Sequence, residues 1–437
     1  MFYVQVLLKM SFWHRFTGNK KEYIIYVVRR GTMNPKITGE NIAVLRKKLG
    51  LTQSQLAKKL NVSDKAVSRW ENGLGFPEVT QFPSLAQILG VTVDYLMTGE
   101  RKGITIAGNL IADIVKRVDC YPEVGMLANV TSVSKAVGGC AANTPIDLRK
   151  MDDSIPISVY GKVGDDEYGR YLVSQMSRYG IDCRGVSVSP DKPTSFSDVI
   201  SQPSGERTFF HARGSNAEFS IDDIDVTALN CVIFHIGYIL LLDAFDENDS
   251  EYGTVMARLL KSVQERGIKT SIDVVSDSTA DYKAKILPAL KYCDYAIMNE
   301  IESTQITGLS PTNNDGSINI ENIRKTMEYM AECGVKEKVI VHCKKAGFCY
   351  DVATGNFTVV GSLNIPDDEI KGSVGAGDAF CAGSLYGLYN GYDDKTVLEF
   401  ASACAAANLF EENAIDGMLP KAEIEKLAEK YGRREIC

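Results

Sequence analysis

The 437-residue chain contains no run of about eighteen apolar residues, the length that crosses a bilayer as a helix, so no membrane partner is expected. A secretory leader is missing too: Phe2 to Met10 is apolar, but no basic lead-in precedes it and no small-residue cleavage site follows it. None of the eleven cysteines stands in a CxxC pair or at a regular framework spacing. An odd, scattered set, with Cys231, Cys381 and Cys404 in apolar stretches, fits a reducing compartment better than a disulfide scaffold, and a cytoplasmic protein is expected. Extreme composition is also absent. Hydrophobic residues make up 45% and charged residues 24%, the balance of an ordinary globular protein rather than a disordered or fibrous one.

The charge is unevenly spread. The net charge is −8, yet residues 1–32 hold six basic side chains against one acidic, and residues 33–100 eight against six, so the remainder carries −15. A basic front and an acidic body imply different partners, and this length implies two or three domains. Residues 1–32 are expected to be a leader outside the native coding sequence. Met33 opens a well-formed domain, and the preceding Arg29-Arg30-Gly31 is what a purine-rich ribosome-binding site would encode.

Residues 33–100 read as a domain of five short helices. Ile42, Leu45 and Leu49 make the first apolar stripe. Thr52 caps a second helix with Leu56, Ala57 and Leu60, and Asn61-Val62 is a tight turn. Ser63 caps a third helix with Ala66, Val67 and Trp70 inward and Lys65, Ser68 and Arg69 outward; Gly73 ends it. Leu85, Ile88 and Leu89 mark a fourth helix, and Val93, Tyr95 and Leu96 a fifth. Two short helices joined by a tight turn have helix-turn-helix spacing, although a small helical interaction domain would give the same pattern.

From about residue 101 the pattern changes to short apolar strands: Ile104–Ala107, Val159–Val163, Cys231–Ile236, Thr270–Asp273, Tyr295–Met298 and Val339–His342. Helical stretches between several of them predict an α/β domain with a mostly parallel sheet and helices on both faces. Ligands in such sheets sit at the carboxyl ends of strands, where Asn109, Asp273, Asn299 and Lys344 fall. The more polar, alternating segments 115–118, 195–200 and 207–211 lie outside the parallel pattern and suggest a small β flap over the site, with an exposed face suited to a dimer contact.

Residues 371–388 carry the most chemistry. Gly375, Ala376 and Gly377 form a glycine turn, Asp378 follows, and then comes an apolar helix. Unpaired N–H groups at such a helix start bind phosphate. Asp378 is out of place in a phosphate cradle. It reads either as a helix cap or as a general base that takes a proton from a hydroxyl attacking a phosphoryl group.

Two resemblances bear on these alternatives. Leu51–Ala57, Val62–Gly73, Pro83–Leu85 and Val91–Gly99 resemble the lambda-repressor-like helix-turn-helix family, which implies DNA binding through Gln53, Ser63, Lys65, Ala66, Ser68 and Arg69. Residues 104–431 resemble the ribokinase-like (PfkB) carbohydrate kinases through Gly138-Gly139-Cys140-Ala141-Ala142-Asn143, Gly161–Gly169, Asn299-Glu300-Ile301-Glu302 and Gly375-Ala376-Gly377-Asp378. That resemblance implies Asp378 as catalytic base, with Gly375, Ala376 and Gly377 as anion hole. It further implies Asp113, Gly139 and Asn143 on sugar hydroxyls, and Asn299 and Glu302 positioning hydrated Mg²⁺ near ATP. Lys344 and Gly347 fall on the nucleotide side. ATP and Mg²⁺ are the implied cofactors, with a monovalent cation a further candidate.

Three positions depart from the family pattern. Gly372-Ser373 stands where Asp-Thr is usual, His342-Cys343-Lys344 where a Thr-x-Gly is common, and Asp273-Val274-Val275 where Asp-x-Asn is common. These touch nucleotide contact and sugar identity rather than the base. The expectation is an ATP-dependent kinase of a small sugar's primary hydroxyl, fused to a DNA-binding domain and working as a homodimer. A sugar-sensing transcription factor with little kinase activity, or a nucleoside kinase of the same fold, are the alternatives.

Overall fold

The computed structural model describes residues 34–202, 206–276 and 281–436, and the leader expected over residues 1–32 lies outside them. The chain divides into two compact units, the first holding the described residues up to Arg101 together with Thr227–Asn230, and the second Lys102–Val226 and the described residues from Cys231 on.

The first unit holds α1 (Pro35–Lys48), α2 (Gln53–Leu60), α3 (Asp64–Glu71), α4 (Phe82–Leu89) and α5 (Val93–Thr98). Local chemistry fixes the boundaries. Thr52 and Gln55 form a reciprocal capping box, Asn61 ends α2 at φ +56, and Ser63 caps α3. Ile42, Leu56, Val67, Trp70, Leu85 and Leu96 meet in the core. Leu49 is half exposed rather than part of the first stripe, because α1 ends at Lys48 and Leu49 is its C-cap. Arg46 is buried instead, with Nη2 2.8 Å from Glu71 Oε2, and it also donates to the Leu51 carbonyl at 2.6 Å. This pair joins α1 to α3. Removing one partner would leave a buried charge, at a typical cost of about 3–5 kcal/mol.

In the second unit, β1 (Ile104–Ala107), β4 (Ile157–Gly164), β5 (Asp182–Ser189), β8 (Ile233–Ile239), β11 (Lys269–Val274), β12 (Tyr295–Asn299), β13 (Lys338–His342), β14 (Ala346–Asp351) and β15 (Phe357–Gly361) form one sheet in the order 15-14-13-12-11-8-1-4-5. All pairings are parallel except β13–β14 and β14–β15 at one edge, where β14 alone runs against the other strands. A second sheet, the flap, has β2 (Ile111–Val118), β3 (Val130–Gly138), β6 (Phe196–Ser201) and β7 (Arg207–Ala212) in the order 3-2-6-7. The flap is not wholly antiparallel: β2 and β6 run parallel. Strands β9 (Asn248–Asp249) and β10 (Gly253–Thr254) make a two-residue ladder.

The helices are α6 (Cys140–Met151), α7 (Glu167–Arg178), α8 (Val255–Gln264), α9 (Tyr282–Leu290), α10 (Glu300–Thr307), α11 (Ile320–Glu332), α12 (Ala376–Tyr389), α13 (Asp394–Asn408) and α14 (Lys421–Tyr431). Side chains of α6, α12 and α13 join Ile104, Ile106, Val159 and Ile340 in one core. Helix α12 is apolar almost all round and buries ten consecutive residues, Asp378 to Gly387. A carboxylate at the head of so buried a helix has little access to water, and that sets the chemistry of the site.

Candidate active site and candidate nucleic-acid face

Gly375 is the N-cap of helix α12; its φ of +79 is left-handed, and a Cβ there would come within 2.5 Å of Ala414. Only glycine fits. No side chain caps this helix, so the cap reading of Asp378 fails. Asp378 is 5% exposed, and both its oxygens accept hydrogen bonds. Asn143 Nδ2 of α6 donates at 2.8 Å, and the Tyr238 hydroxyl lies 3.0 and 3.1 Å from the two oxygens. Burial lifts the Asp378 carboxyl to about 6; the nearby Asp273 charge adds to the rise, while the Asn143 and Tyr238 hydrogen bonds hold it down. The first-turn N–H groups of Gly377 and Asp378 have no partner within the helix, whereas Ala376 N–H donates to Ser373 at 3.3 Å. Among the N–H groups at this helix start, that of Ala376 is therefore engaged while those of Gly377 and Asp378 are open to an anion.

The glycine pair before α6 makes room for its neighbours. A Cβ on Gly138 would lie 2.4 Å from Asp113 Oδ2, so glycine makes room for that carboxylate. Gly139 has φ +84, and a Cβ there would lie 2.2 Å from the Asn109 carbonyl oxygen. Asp113, on β2 opposite Ser197, is lifted to about 7 by burial and then by the Asp378 charge. Asn109 is buried with both amide atoms lacking a hydrogen-bond partner among the described residues, and Asn143 Oδ1 is also unpartnered. Buried amides left open beside a carboxylate suit a ligand rich in hydroxyls.

A cavity of about 1040 Å³ adjoins this point. Arg117 and Arg207 of the flap, His342, Lys344, Ala376 and Gly377 are among its lining. His342 is held neutral, its imidazole pushed down to about 4 by burial, and it packs on Phe380 with ring centroids 4.6 Å apart. Lys344 is exposed in this cavity, but Gly347 is not part of the lining; it faces His342 across the β13–β14 ladder, where a Cβ would crowd Phe380 and Leu398 at 3.2 Å.

Asn299 and Glu302 form a reciprocal capping box at the start of α10. Glu302 Oε2 accepts from Asn299 N–H at 3.0 Å and Oε1 from Ser276 Oγ at 2.8 Å. Burial lifts the Glu302 carboxyl to about 7. Each oxygen keeps a lone pair but is already engaged, so the pair fits water-mediated holding of a cation better than direct ligation. Neither residue lines the 1040 Å³ cavity.

Sequence reasoning missed Tyr238 and Ser276. Each lies just past the expected end of a strand, and the rule that ligands gather there was the available signal.

In the first unit, Lys65 and Arg69 are exposed on α3 and Ser68 is half buried. Ser63 is spent on capping Ala66 N–H at 3.2 Å. Gln53 donates to Glu71 at 2.8 Å, and Arg69 Nε donates to the Leu74 carbonyl at 3.1 Å.

Comparisons with known proteins agree with this division. Residues 102–422 match the family model described as pfkB family carbohydrate kinase, and residues 42–96 match a helix-turn-helix model. Fructokinase-1 of Zea mays is 26% identical over 349 residues, covering 76% of this chain and 100% of the relative. The structure of Arabidopsis thaliana ribokinase complexed with ribose and ATP superposes with a TM-score of 0.62 at 21% identity, over 75% of this chain and 98% of that one. The structure of a ribokinase II from E. coli, described as putative and complexed with ATP and Mg²⁺, gives 0.59 at 19% identity, over 76% and 100%.

Proposed function

The chain belongs to the pfkB family of carbohydrate kinases, and from that premise we propose that it transfers the terminal phosphoryl group of ATP to a primary hydroxyl of a small sugar, while its helix-turn-helix unit binds DNA. The observation that carries the reading is Asp378. A carboxylate lifted to about 6 by burial, fixed by Asn143 and Tyr238 at the head of a helix, is matched to taking a proton near neutral pH. Asp113, Asn109 and Asn143 orient the sugar. The N–H groups of Gly377 and Asp378 meet the charge that grows on the transferred group. Mg²⁺ neutralises phosphate charge when bound, and Asn299 and Glu302 would hold it through water. The lack of any helix long and apolar enough to span a membrane, among the described residues, is compatible with the expected cytoplasmic setting. Exposed Val130, Val133 and Phe210 on the flap support a second copy of this chain as partner.

The test is ADP release with ATP and Mg²⁺ against a panel of sugars and nucleosides. Turnover of one sugar class supports the reading, and turnover of nucleosides alone replaces it. One observation favours a sensing role instead: Gly372-Ser373 offers the cavity no carboxylate where the family has one. Binding of a sugar without ADP release would establish that alternative.

A further inference from the structure

Strands β8 and β11 pair side by side, and His235 from the middle of β8 and Asp273 near the end of β11 meet Cys381 from the second turn of α12. All three are buried. His235 Nε2 lies 3.5 Å from Asp273 Oδ2 and 3.6 Å from Cys381 Sγ, and the three donor atoms lie within 4.8 Å of one another. A nitrogen–oxygen separation of 3.5 Å is beyond an ordinary hydrogen bond. It is, however, the edge of a tetrahedral ion's coordination shell. Bonds of about 2.0–2.1 Å to nitrogen and about 2.0–2.2 Å to oxygen span roughly 3.3–3.5 Å across a tetrahedral angle, and a sulfur bond of about 2.3 Å puts sulfur roughly 3.5–3.6 Å from nitrogen.

The surroundings are those of a ligand set. Ser271 Oγ lies 2.9 Å from His235 Nδ1, the outer contact that fixes a ligand imidazole and aims its other nitrogen. Asp273 uses Oδ1 to accept Tyr238 N–H at 2.5 Å, which leaves Oδ2 for the cluster. Cys140 Sγ flanks the same carboxylate: both lie 2.7 Å from where a Cβ on Gly237 would stand.

The geometry points to a binding site for a thiophilic divalent cation of the zinc class, ligated by His235 Nε2, Asp273 Oδ2 and Cys381 Sγ. Its mixed nitrogen, oxygen and sulfur donors select against Mg²⁺, which takes oxygen, so the site is separate from the phosphate-neutralising cation. Through Asp273 and Tyr238 the ion would brace the floor beneath Asp378.

Cobalt(II) titration of the chelator-treated full chain tests this. One equivalent should bind with a thiolate-to-cobalt charge-transfer band and strong visible bands of tetrahedral cobalt, and zinc should displace it. Cys381→Ser and His235→Gln should lose the charge-transfer band or bind at least tenfold more weakly. Ser271→Ala removes only the outer hydrogen bond; it should keep the band and weaken cobalt about 10- to 100-fold. No band at one equivalent in the unaltered chain overturns the site, as does an unchanged spectrum in Cys381→Ser, which would put the ion on another thiol. Should both ligand variants fail to fold by circular dichroism, unaltered cobalt affinity in Ser271→Ala overturns it.

Discussion

The Tyr238 hydroxyl sits 3.0 and 3.1 Å from the two carboxylate oxygens of Asp378, across 140 residues of chain. Tyr238 reaches it from a left-handed backbone, φ +59, which a tyrosine adopts only when its surroundings compel it. Here Asp273 compels it by accepting the Tyr238 N–H. The hydroxyl stabilises the ionised carboxylate and fixes its direction, so it is a positioning group. Tyr238→Phe keeps the ring and loses the donor. The acid limb of the kcat–pH profile should move to higher pH, because the ionised carboxylate loses support, and kcat near neutrality should fall about 3- to 10-fold. An unmoved profile would leave Tyr238 with a packing role only.

Asp378→Asn should lower kcat by about 10² or more while sugar binding persists. It should also change stability in a pH-dependent way. A carboxyl whose folded value is raised from 3.8 to about 6 favours the fold only while protonated, and that contribution is lost as pH rises through the folded value. The wild type is thus penalised above pH 6 by about 3 kcal/mol, at 1.36 kcal/mol per unit. The variant's stability relative to wild type should climb between about pH 4 and pH 6 and then level off. Denaturant midpoints across that range measure it, and a constant difference contradicts the buried, raised carboxyl.

Glu302→Gln separates two roles that share one side chain. Glutamine at that position still closes a capping box, so the thermal midpoint should hold within a degree or two. The Mg²⁺ concentration for half-maximal activity should rise about 10- to 100-fold if the carboxylate holds metal-bound water. A large loss of thermal stability with an unchanged Mg²⁺ requirement would assign Glu302 to the helix start alone.

Much of this was legible in the sequence, for physical reasons. The central strands are short apolar runs because both faces are covered, and capping residues such as Thr52 and Ser63 act within three positions of themselves. Strand β3 escaped because most of it is exposed and carries Thr-Ser-Val-Ser-Lys, with no inward period to read. Gly375 and Asp378 announced themselves by type and spacing. Asn109 and Asp273 were marked only by their place at strand ends, and Tyr238, His235 and Cys381 were not marked at all, since their meaning lies in contacts between segments distant in the chain. Gln53 and Ser63 show the converse limit: their residue types suited a DNA face, yet the fold engages them in its own hydrogen bonds.

On the nucleic-acid face, Lys65 is a cleaner probe than Arg69, because Arg69 Nε is tied to the Leu74 carbonyl and its loss would disturb the turn after α3. Lys65→Ala should weaken DNA binding by the full chain and make the salt dependence shallower by about one unit of log–log slope, the signature of one lost phosphate contact. Binding that is indifferent to salt in the unaltered chain would rule out a DNA role for α3.

The fusion itself makes the last prediction. Five residues, Gly99 to Gly103, separate the end of α5 from the start of β1, a tether of at most about 17 Å. With so short a tether, a sugar-driven change that altered the tether's exit, or the pairing of two copies through the flap, would alter how two helix-turn-helix units reach paired half-sites one helical turn or a multiple apart. DNA affinity should then depend on sugar, and by reciprocity sugar affinity should depend on DNA by the same factor. Such coupling is typically about 1–3 kcal/mol, or roughly 5- to 150-fold. Binding should be measured at fixed salt in the Asp378→Asn chain, where sugar is held without turnover, using the sugar found by the ADP-release panel. A difference that appears in both directions with one factor demonstrates the linkage. Equal DNA affinities with and without sugar would mean that two independent activities share one chain.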